Sequence, residues 1–151
     1  MESWKRDAIE GVRKTLAEYA VFTDSGRFEQ FLGLFLPDGV FVLPKGDTAK
    51  GPAEIAALLG SKREAYAKIE KWAPAFLRHN VTTENIDIVN EREARVEAYF
   101  MVCTDRGLDH WGRWEDELVR CDDDRWRFRR RRVFTEASYA ESWYATAFGL
   151  V

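Results

Sequence analysis

Two histidines, His79 and His110, are the side chains of this sequence that are best suited to transfer protons. Imidazole titrates closest to neutral pH of all side chains, so modest changes in its surroundings make it a base or an acid. Asp24 lies where the first helix is predicted to end, and a carboxylate is electrostatically disfavoured at the negative end of a helix. An aspartate at this place is therefore a candidate for a role in a site.

The same residue types do not predict a metal centre. His79 and His110 lie far apart in sequence and have no ligand spacing between them. Cys103 and Cys121 are the only cysteines, and they neither form a C-x-x-C pair nor stand beside a histidine. We predict no metal ion and two free, partly buried thiols.

Length and composition indicate one soluble domain over residues 1–151. The chain is 46% hydrophobic and 32% charged, which suffices for one core and a polar surface. A net charge of -3 gives no broad attraction to nucleic acid or to anionic lipid, so neither is an expected partner. The N-terminal residues lack the apolar stretch of a signal peptide, and no apolar run approaches the roughly 20 residues of a membrane span. We expect a cytoplasmic protein that does not enter the membrane.

Helical periodicity is confined to the first half of the chain. Apolar residues recur every three or four positions over residues 4–22, and Gly26 can end that helix in a left-handed conformation. A second short helix is predicted over residues 27–35, followed by a turn at residues 37–39 and a brief strand over 40–43. Gly51 and Pro52 open a third helix, whose continuation over residues 62–72 is less clearly patterned.

After Pro74 the period changes to two, which predicts strands. The four predicted strands are residues 77–89, 93–103, 108–120 and 125–134. Their short polar connections indicate antiparallel neighbours, so the fold class is α+β, with helices first and a meander afterwards. The aromatic tail, residues 138–151, is too apolar to float free and is expected to cover a pocket mouth or a subunit interface.

Several motifs, in order along about nine tenths of the chain, resemble those of the SnoaL-like branch of the nuclear-transport-factor-two superfamily, which includes scytalone-dehydratase-like and polyketide-cyclase-like proteins. They are Y-A-V-F-T-D-S-G-R-F-E-Q-F at 19–31, L-F at 34–35 with Asp38, G-P at 51–52, R-H-N at 78–80, G-R-W-E-D at 112–116, and R-W-R-F at 125–128 with Arg131. The resemblance implies a cone-shaped α+β barrel, in which N-terminal helices and a curved, mainly antiparallel sheet enclose a pocket.

The resemblance also implies a catalytic pair, Asp24 and His79. In dehydratases and dehydrochlorinases of this kind, the aspartate at the place of Asp24 orients a histidine at the place of His79, which removes a proton. A carboxylate on one imidazole nitrogen fixes the tautomer and stabilises the imidazolium, while the other nitrogen acts as the base. The alternative interpretation is that Asp24 only caps a turn and that His79 is a satisfied core side chain.

Four further residues are predicted to bind substrate: Tyr19, His110, Trp114 and Arg131. His110 corresponds to a second pocket histidine of the dehydratases, and strand alternation places it on the same face as Trp114; a solvent-exposed strand start is the alternative. Arg131 corresponds to an arginine that acts on a departing anion in dehydrochlorinases. The rest of the run 129–132 is expected to form cross-strand ion pairs with residues 115–117.

Two departures from the related enzymes bear on the reaction. Thr23 and the strand over residues 40–43 lack the tyrosines with which the dehydratase positions a water, and Tyr19 replaces the lysine of the dehydrochlorinase. Scytalone and halogenated substrates are therefore not expected. Tyr19 can instead donate a hydrogen bond to a substrate carbonyl.

Two functions from different classes follow. The first is a cofactor-independent lyase or isomerase that acts on a small hydrophobic, aromatic, polyketide-like or steroid-like molecule through Asp24 and His79. The second is a non-catalytic domain that binds a ligand or assembles with a partner, as dioxygenase small subunits do. By family analogy, a homodimer or higher homo-oligomer is expected in either case.

Overall fold

The computed structural model describes residues 1–69 and 72–149, which form a mixed sheet and helices at both ends of the chain. The elements in order are α1 (Ser3–Asp24), α2 (Phe28–Leu32), β1 (Phe35–Val42), β2 (Thr48–Lys50), α3 (Gly51–Ala67), β3 (Leu77–Asn90), β4 (Glu93–Thr104), β5 (Gly107–Arg120), β6 (Trp126–Ser138) and α4 (Trp143–Phe148). The four long strands lie within a few residues of the predicted ones, so the change of period after Pro74 is confirmed as the start of the meander.

The strands form one curved sheet in the order β2-β1-β6-β5-β4-β3. Neighbours are antiparallel except β1 and β6, which run parallel. The prediction of an α+β fold with a mainly antiparallel sheet is confirmed. The closed barrel is not found, because β2 and β3 are the two ends of the sheet and do not pair with each other in the described part of the chain.

Helix α1 packs along the sheet through one apolar stripe that includes Val12, Leu16 and Tyr19. The hydroxyl of Thr15 donates to the backbone oxygen of Trp126 at 2.7 Å, which fixes the helix against β6. The helix ends at Asp24, and Gly26 follows with φ 67°, as the sequence predicts. This length carries Asp24 to the beginning of β3.

The segment after α2 differs from the prediction. Helix α2 ends at Leu32, and β1 begins at Phe35 and continues through the predicted turn at residues 37–39. The register with β6 shifts between Phe35 and Val40, so the extra residues are accommodated as an irregularity within a strand. Gly39 permits the close approach of β1 to β6, because a Cβ atom at this position would lie 2.7 Å from the backbone oxygen of Phe128. The three-residue strand β2 was not predicted.

The third helix begins at Gly51, with Pro52 in its first turn, as predicted. The helix continues to Ala67, which is within the less clearly patterned segment 62–72. Residues 70 and 71 of that segment lie outside the described residues.

The aromatic tail contains α4, so helices are not confined to the first half of the chain. Ser142 caps this helix, because its side-chain oxygen accepts a hydrogen bond from the backbone N–H of Ala145 at 2.9 Å. Residues 150 and 151 of the tail lie outside the described residues. Among the helices that the structure describes, none is long and apolar enough to cross a membrane.

Candidate active site

A cavity of about 340 Å³ lies between the helices and the inner face of the sheet. Its wall is mainly apolar, with aromatic rings from α1, α2, β1, β4, β5 and α4. The aromatic lining residues are Tyr19, Phe22, Phe28, Phe31, Phe41, Phe100, Trp114, Trp143, Tyr144 and Phe148. The polar side chains of this wall include the two histidines and the charged groups of Lys45, Asp47 and Lys62. Such a cavity suits a small apolar ligand that is oriented by a few polar contacts.

Asp24 and His79 are in direct contact at the wall of this cavity. The His79 Nδ1 atom lies 2.6 Å from Asp24 Oδ1, and the backbone N–H of His79 donates to Asp24 Oδ2 at 2.8 Å. His79 lines the cavity, and Asp24 lies behind it. Both side chains are largely buried, with 15% and 10% of their surface exposed. The carboxylate of Asp24 thus contacts His79 at two points, one on the imidazole ring and one on the backbone.

His110 also lines the cavity and is buried. Its Nδ1 atom lies 2.8 Å from Asp109 Oδ2. Burial lowers the pKa of His110 below its ordinary value, although the Asp109 carboxylate opposes this effect. The rings of His79 and His110 lie 6.4 Å and 6.2 Å from the ring of Phe100, measured between centroids. Two imidazoles, each held by a carboxylate, therefore flank one aromatic ring of the wall.

Tyr19 and Trp114 line the cavity, but Arg131 does not. Arg131 is completely buried beneath these two rings, with its guanidinium carbon 4.0 Å from the centroid of each. It donates two hydrogen bonds to the carboxylate of Asp116, at 2.8 Å and 2.6 Å. The structure therefore does not place Arg131 where it could hold a departing anion. Arg131 forms the cross-strand ion pair that was expected of its neighbours, because Asp116 faces it in the register of β5 and β6.

Asp109 is the site residue that sequence reasoning missed. Strict alternation along β5 places Asp109 on the face opposite His110, so the sequence indicates an exposed side chain. The register of β4 and β5 instead shifts at this point, and both residues are buried. The Asp-His dipeptide is the only signal that could have suggested the pair. The aromatic residues of α4 were expected at a pocket mouth or an interface, and they line the cavity.

The described residues contain no group of three or more His, Cys, Asp or Glu side chains that could hold a metal ion. Cys103 and Cys121 are both unpaired and partly buried.

Comparison with known proteins supports the fold and identifies the family. A protein from Novosphingobium aromaticivorans that bears the name scytalone dehydratase superposes with a TM-score of 0.76 at 20% identity, over 92% of this chain and 91% of that chain. LinA superposes with a TM-score of 0.74 at 14% identity, over 91% of this chain and 93% of that chain. At these identities, the likeness shows the fold alone.

A protein from Catenulispora acidiphila, solved in complex with S-DNPA, is more similar in sequence. It is 30% identical, with a TM-score of 0.70, over 85% of this chain and 93% of that chain. No curated protein is significantly similar to this sequence. The sequence profile of the SnoaL-like domain matches residues 4–132. The chain therefore belongs to the SnoaL-like domain family.

Proposed function

We propose that this protein is a cofactor-independent lyase or isomerase in which His79, held by Asp24, removes a proton from a small apolar substrate. The observation that carries the proposal is the 2.6 Å contact between His79 Nδ1 and Asp24 Oδ1 at the wall of an aromatic cavity. A histidine that only filled the core would not need a buried carboxylate that bonds both its ring and its backbone N–H. Such a pair has the geometry of a positioned general base.

The proposed reaction follows from the orientation of the imidazole. A neutral His79 places its one N–H on Nδ1, against Asp24, and leaves Nε2 as the basic nitrogen. This base takes a proton from a carbon beside a carbonyl, and the C–H electron pair moves into an enolate while Asp24 stabilises the imidazolium. In a lyase, the enolate then expels a hydroxyl group, which takes the proton from His79 and leaves as water. In an isomerase, the proton returns to a different carbon.

The cavity indicates the kind of substrate. A volume of about 340 Å³ and a mainly apolar wall with many aromatic rings suit a molecule with one or two rings and few charged groups. Tyr19 is a candidate donor to the carbonyl oxygen on which the enolate charge develops, because its side chain reaches the cavity wall from α1. The Catenulispora relative was solved in complex with S-DNPA, which supports the binding of a ligand by this protein as well. The two free thiols suit a reducing compartment such as the cytoplasm.

A second candidate function is ligand binding or assembly without catalysis. It is favoured by the position of Arg131, which is bound to Asp116 and withdrawn from the cavity. The tyrosines and the lysine that the related enzymes use are also absent from the corresponding positions of this sequence, where Thr23, the strand over residues 40–43 and Tyr19 stand. A structural neighbour described as the β subunit of an aromatic-ring-hydroxylating dioxygenase has the same fold at 18% identity, with a TM-score of 0.69.

Exchange of carbon-bound protons distinguishes the two functions. The protein is incubated in D₂O with a panel of aromatic ketones and β-hydroxy ketones, and deuterium uptake and loss of water are followed by NMR and mass spectrometry. We expect exchange or dehydration of at least one compound, with the rate falling roughly 10²–10⁴-fold in His79→Gln and strongly in Asp24→Asn. Asp87→Asn is the matched control, because Asp87 is an exposed aspartate on the same strand as His79.

Two results contradict the proposal. Wild-type turnover by His79→Gln would show that this imidazole is not the base. Compounds that bind in the cavity while none exchanges a proton or loses water would favour the binding function instead. Binding is measured separately by the quenching of tryptophan fluorescence, since Trp114 and Trp143 line the cavity.

A further inference from the structure

One extra residue in β5 turns two adjacent side chains to the same side of the sheet. Val102 of β4 faces His110, whereas Cys103, the next residue, faces Leu108, so Asp109 has no partner on β4. Asp109 and His110 are consecutive, yet they are only 3% and 6% exposed. A bulge of this kind re-aims a side chain that would otherwise point to the opposite face. Here it brings a carboxylate under the cavity wall.

The Asp109 carboxylate accepts three hydrogen bonds in this buried position. Its Oδ2 atom lies 2.8 Å from His110 Nδ1 and accepts the backbone N–H of Tyr144 at 3.1 Å. Its Oδ1 atom accepts the backbone N–H of Trp143 at 2.7 Å. The two backbone groups belong to the first turn of α4, where N–H groups have no partner within the helix. One side chain therefore joins the ring of His110 to the helix that covers it.

Helix α4 is held at its other end as well. Lys45 Nζ donates to the backbone oxygen of Phe148 at 2.5 Å. Between these two attachments, the ring of Tyr144 packs against the ring of His110, with 4.5 Å between centroids, and against the ring of Phe148 at 4.6 Å. These aromatic rings form part of the cavity wall. The position of the wall over His110 thus depends on the attachment of α4 to Asp109.

We propose that Asp109 is a positioning residue, which fixes the tautomer of His110 and attaches α4 over the cavity with the same carboxylate. A neutral His110 then carries its proton on Nδ1, so its Nε2 atom is a hydrogen-bond acceptor. Burial favours this neutral form, because a charged imidazole is poorly solvated there. The role of His110 in the reaction rests on the proposed function. In that reaction, His110 is a second group of the cavity wall, besides His79, that can accept a proton.

The tautomer of His110 is measured directly by ¹⁵N NMR of the imidazole nitrogens. The chain has only two histidines, so His79→Gln assigns the two sets of signals. Above neutral pH, we expect wild-type His110 to carry its proton on Nδ1. In Asp109→Asn, one amide oxygen replaces two carboxylate oxygens, so the three donors cannot all be satisfied. We expect a mixture of tautomers, and exchange of the Trp143 and Tyr144 amide protons that is at least about tenfold faster.

Ser142→Ala is the matched control. It removes the cap that bonds the Ala145 N–H but leaves all contacts of Asp109 in place. We expect faster exchange of the Ala145 amide proton and an unchanged His110 tautomer. An equal tautomer change in Ser142→Ala and Asp109→Asn would overturn the proposal, because helix packing would then set the tautomer.

A wild-type His110 that carries its proton on Nε2 would also overturn the proposal, and this measurement does not require Asp109→Asn to fold. These readouts use no substrate, so they stay valid if no enzymatic activity is found. A protein without turnover that still shows the expected tautomer and exchange rates would contradict the proposed function and leave the role of Asp109 intact.

Discussion

Replacement of Asp116 by asparagine should destabilise the protein strongly, because it removes one partner of a buried ion pair. Asp116 and Arg131 form a salt bridge in which both side chains are 0% exposed. Arg131 Nη1 has no hydrogen-bond partner among the residues that the structure describes, so the guanidinium depends on the two bonds that it donates to Asp116. In Asp116→Asn the buried positive charge persists without a counter-charge. Its remaining cation–π contacts are with the faces of the Tyr19, Trp114 and Phe128 rings.

The expected loss of unfolding free energy is about 3–5 kcal/mol, which is typical when one partner of a buried ion pair is removed. The cation–π contacts of Arg131, each worth about 2 kcal/mol or more when desolvated, do not offset this loss, because they are already present in the wild-type protein. A small domain commonly has only about 5–15 kcal/mol of stability in total. The variant should therefore unfold at a much lower urea concentration.

Urea unfolding followed by tryptophan fluorescence measures this loss. Asp123→Asn is the matched control, because Asp123 also accepts two hydrogen bonds from one arginine, Arg127, at 2.8 Å and 2.6 Å, but half of the Asp123 side chain is exposed. A surface pair of this kind contributes little, so the control should unfold close to the wild type. The double variant Asp116→Leu with Arg131→Met should recover most of the stability, because no unpaired charge remains. If Asp116→Asn loses no more stability than Asp123→Asn, the assignment of a critical buried charge is wrong.

Three further predictions concern packing, pH and assembly. Gly112→Ala should cost at least about 2 kcal/mol in urea unfolding, because its Cβ atom would lie 1.8 Å from the backbone oxygen of Phe134; a stable variant would contradict this contact. Burial lowers the pKa of His110 in the folded protein, so this histidine binds its proton at a higher pH in the unfolded chain than in the folded protein. The free energy of unfolding should therefore decrease as the pH falls through 6.5, by at most about 1.4 kcal/mol per pH unit. The variant His110→Phe keeps the nearby titratable groups Asp109 and His79 and should flatten this slope. An unchanged slope would contradict the assignment of the pH dependence to His110. Light scattering should show a homodimer that Tyr99→Glu weakens, since Tyr99 is exposed on the outer face of β4; a wild-type monomer at micromolar concentration would contradict it.

The regular elements could be predicted because their periodicity is continuous. Alternation in β5 correctly places His110, Trp114 and Asp116 on the buried face, and the stripe of α1 correctly predicts a helix that ends at Asp24. The strand predicted over residues 40–43 is the second half of β1, but the prediction failed for the first half, because Pro37 and Gly39 normally indicate a turn. The parallel partner β6 lies far along the chain and accommodates these residues in a shifted register, which no local pattern could indicate.

The ion-pair partner of Arg131 could not be predicted from the sequence motif. The family motif gives the strand and the position of this arginine, but it does not say which acid neutralises it. Asp116 becomes its partner only when β5 and β6 pair with Asp116 opposite Arg131. A shift of that register by one residue would place Glu115 or Glu117 there instead, and both are on the outer face. The availability of a charged side chain to a ligand therefore depends on pairing that the isolated motif does not contain.

The two aspartate–histidine pairs depend on opposite kinds of structural control. Asp24 and His79 are 55 residues apart, so their contact requires the whole of α1 to keep its length and rotation against β3. Each residue of a helix turns the side-chain direction by about 100°, and the loss of one residue from α1 would turn Asp24 away from the strand. Asp109 and His110 are neighbours, and they meet only because one strand residue has no partner. Sequence motifs can predict the contact of Asp24 with His79, because a regular helix preserves it. They do not predict the contact of Asp109 with His110, because it arises from an irregularity in β5 that strict alternation does not include.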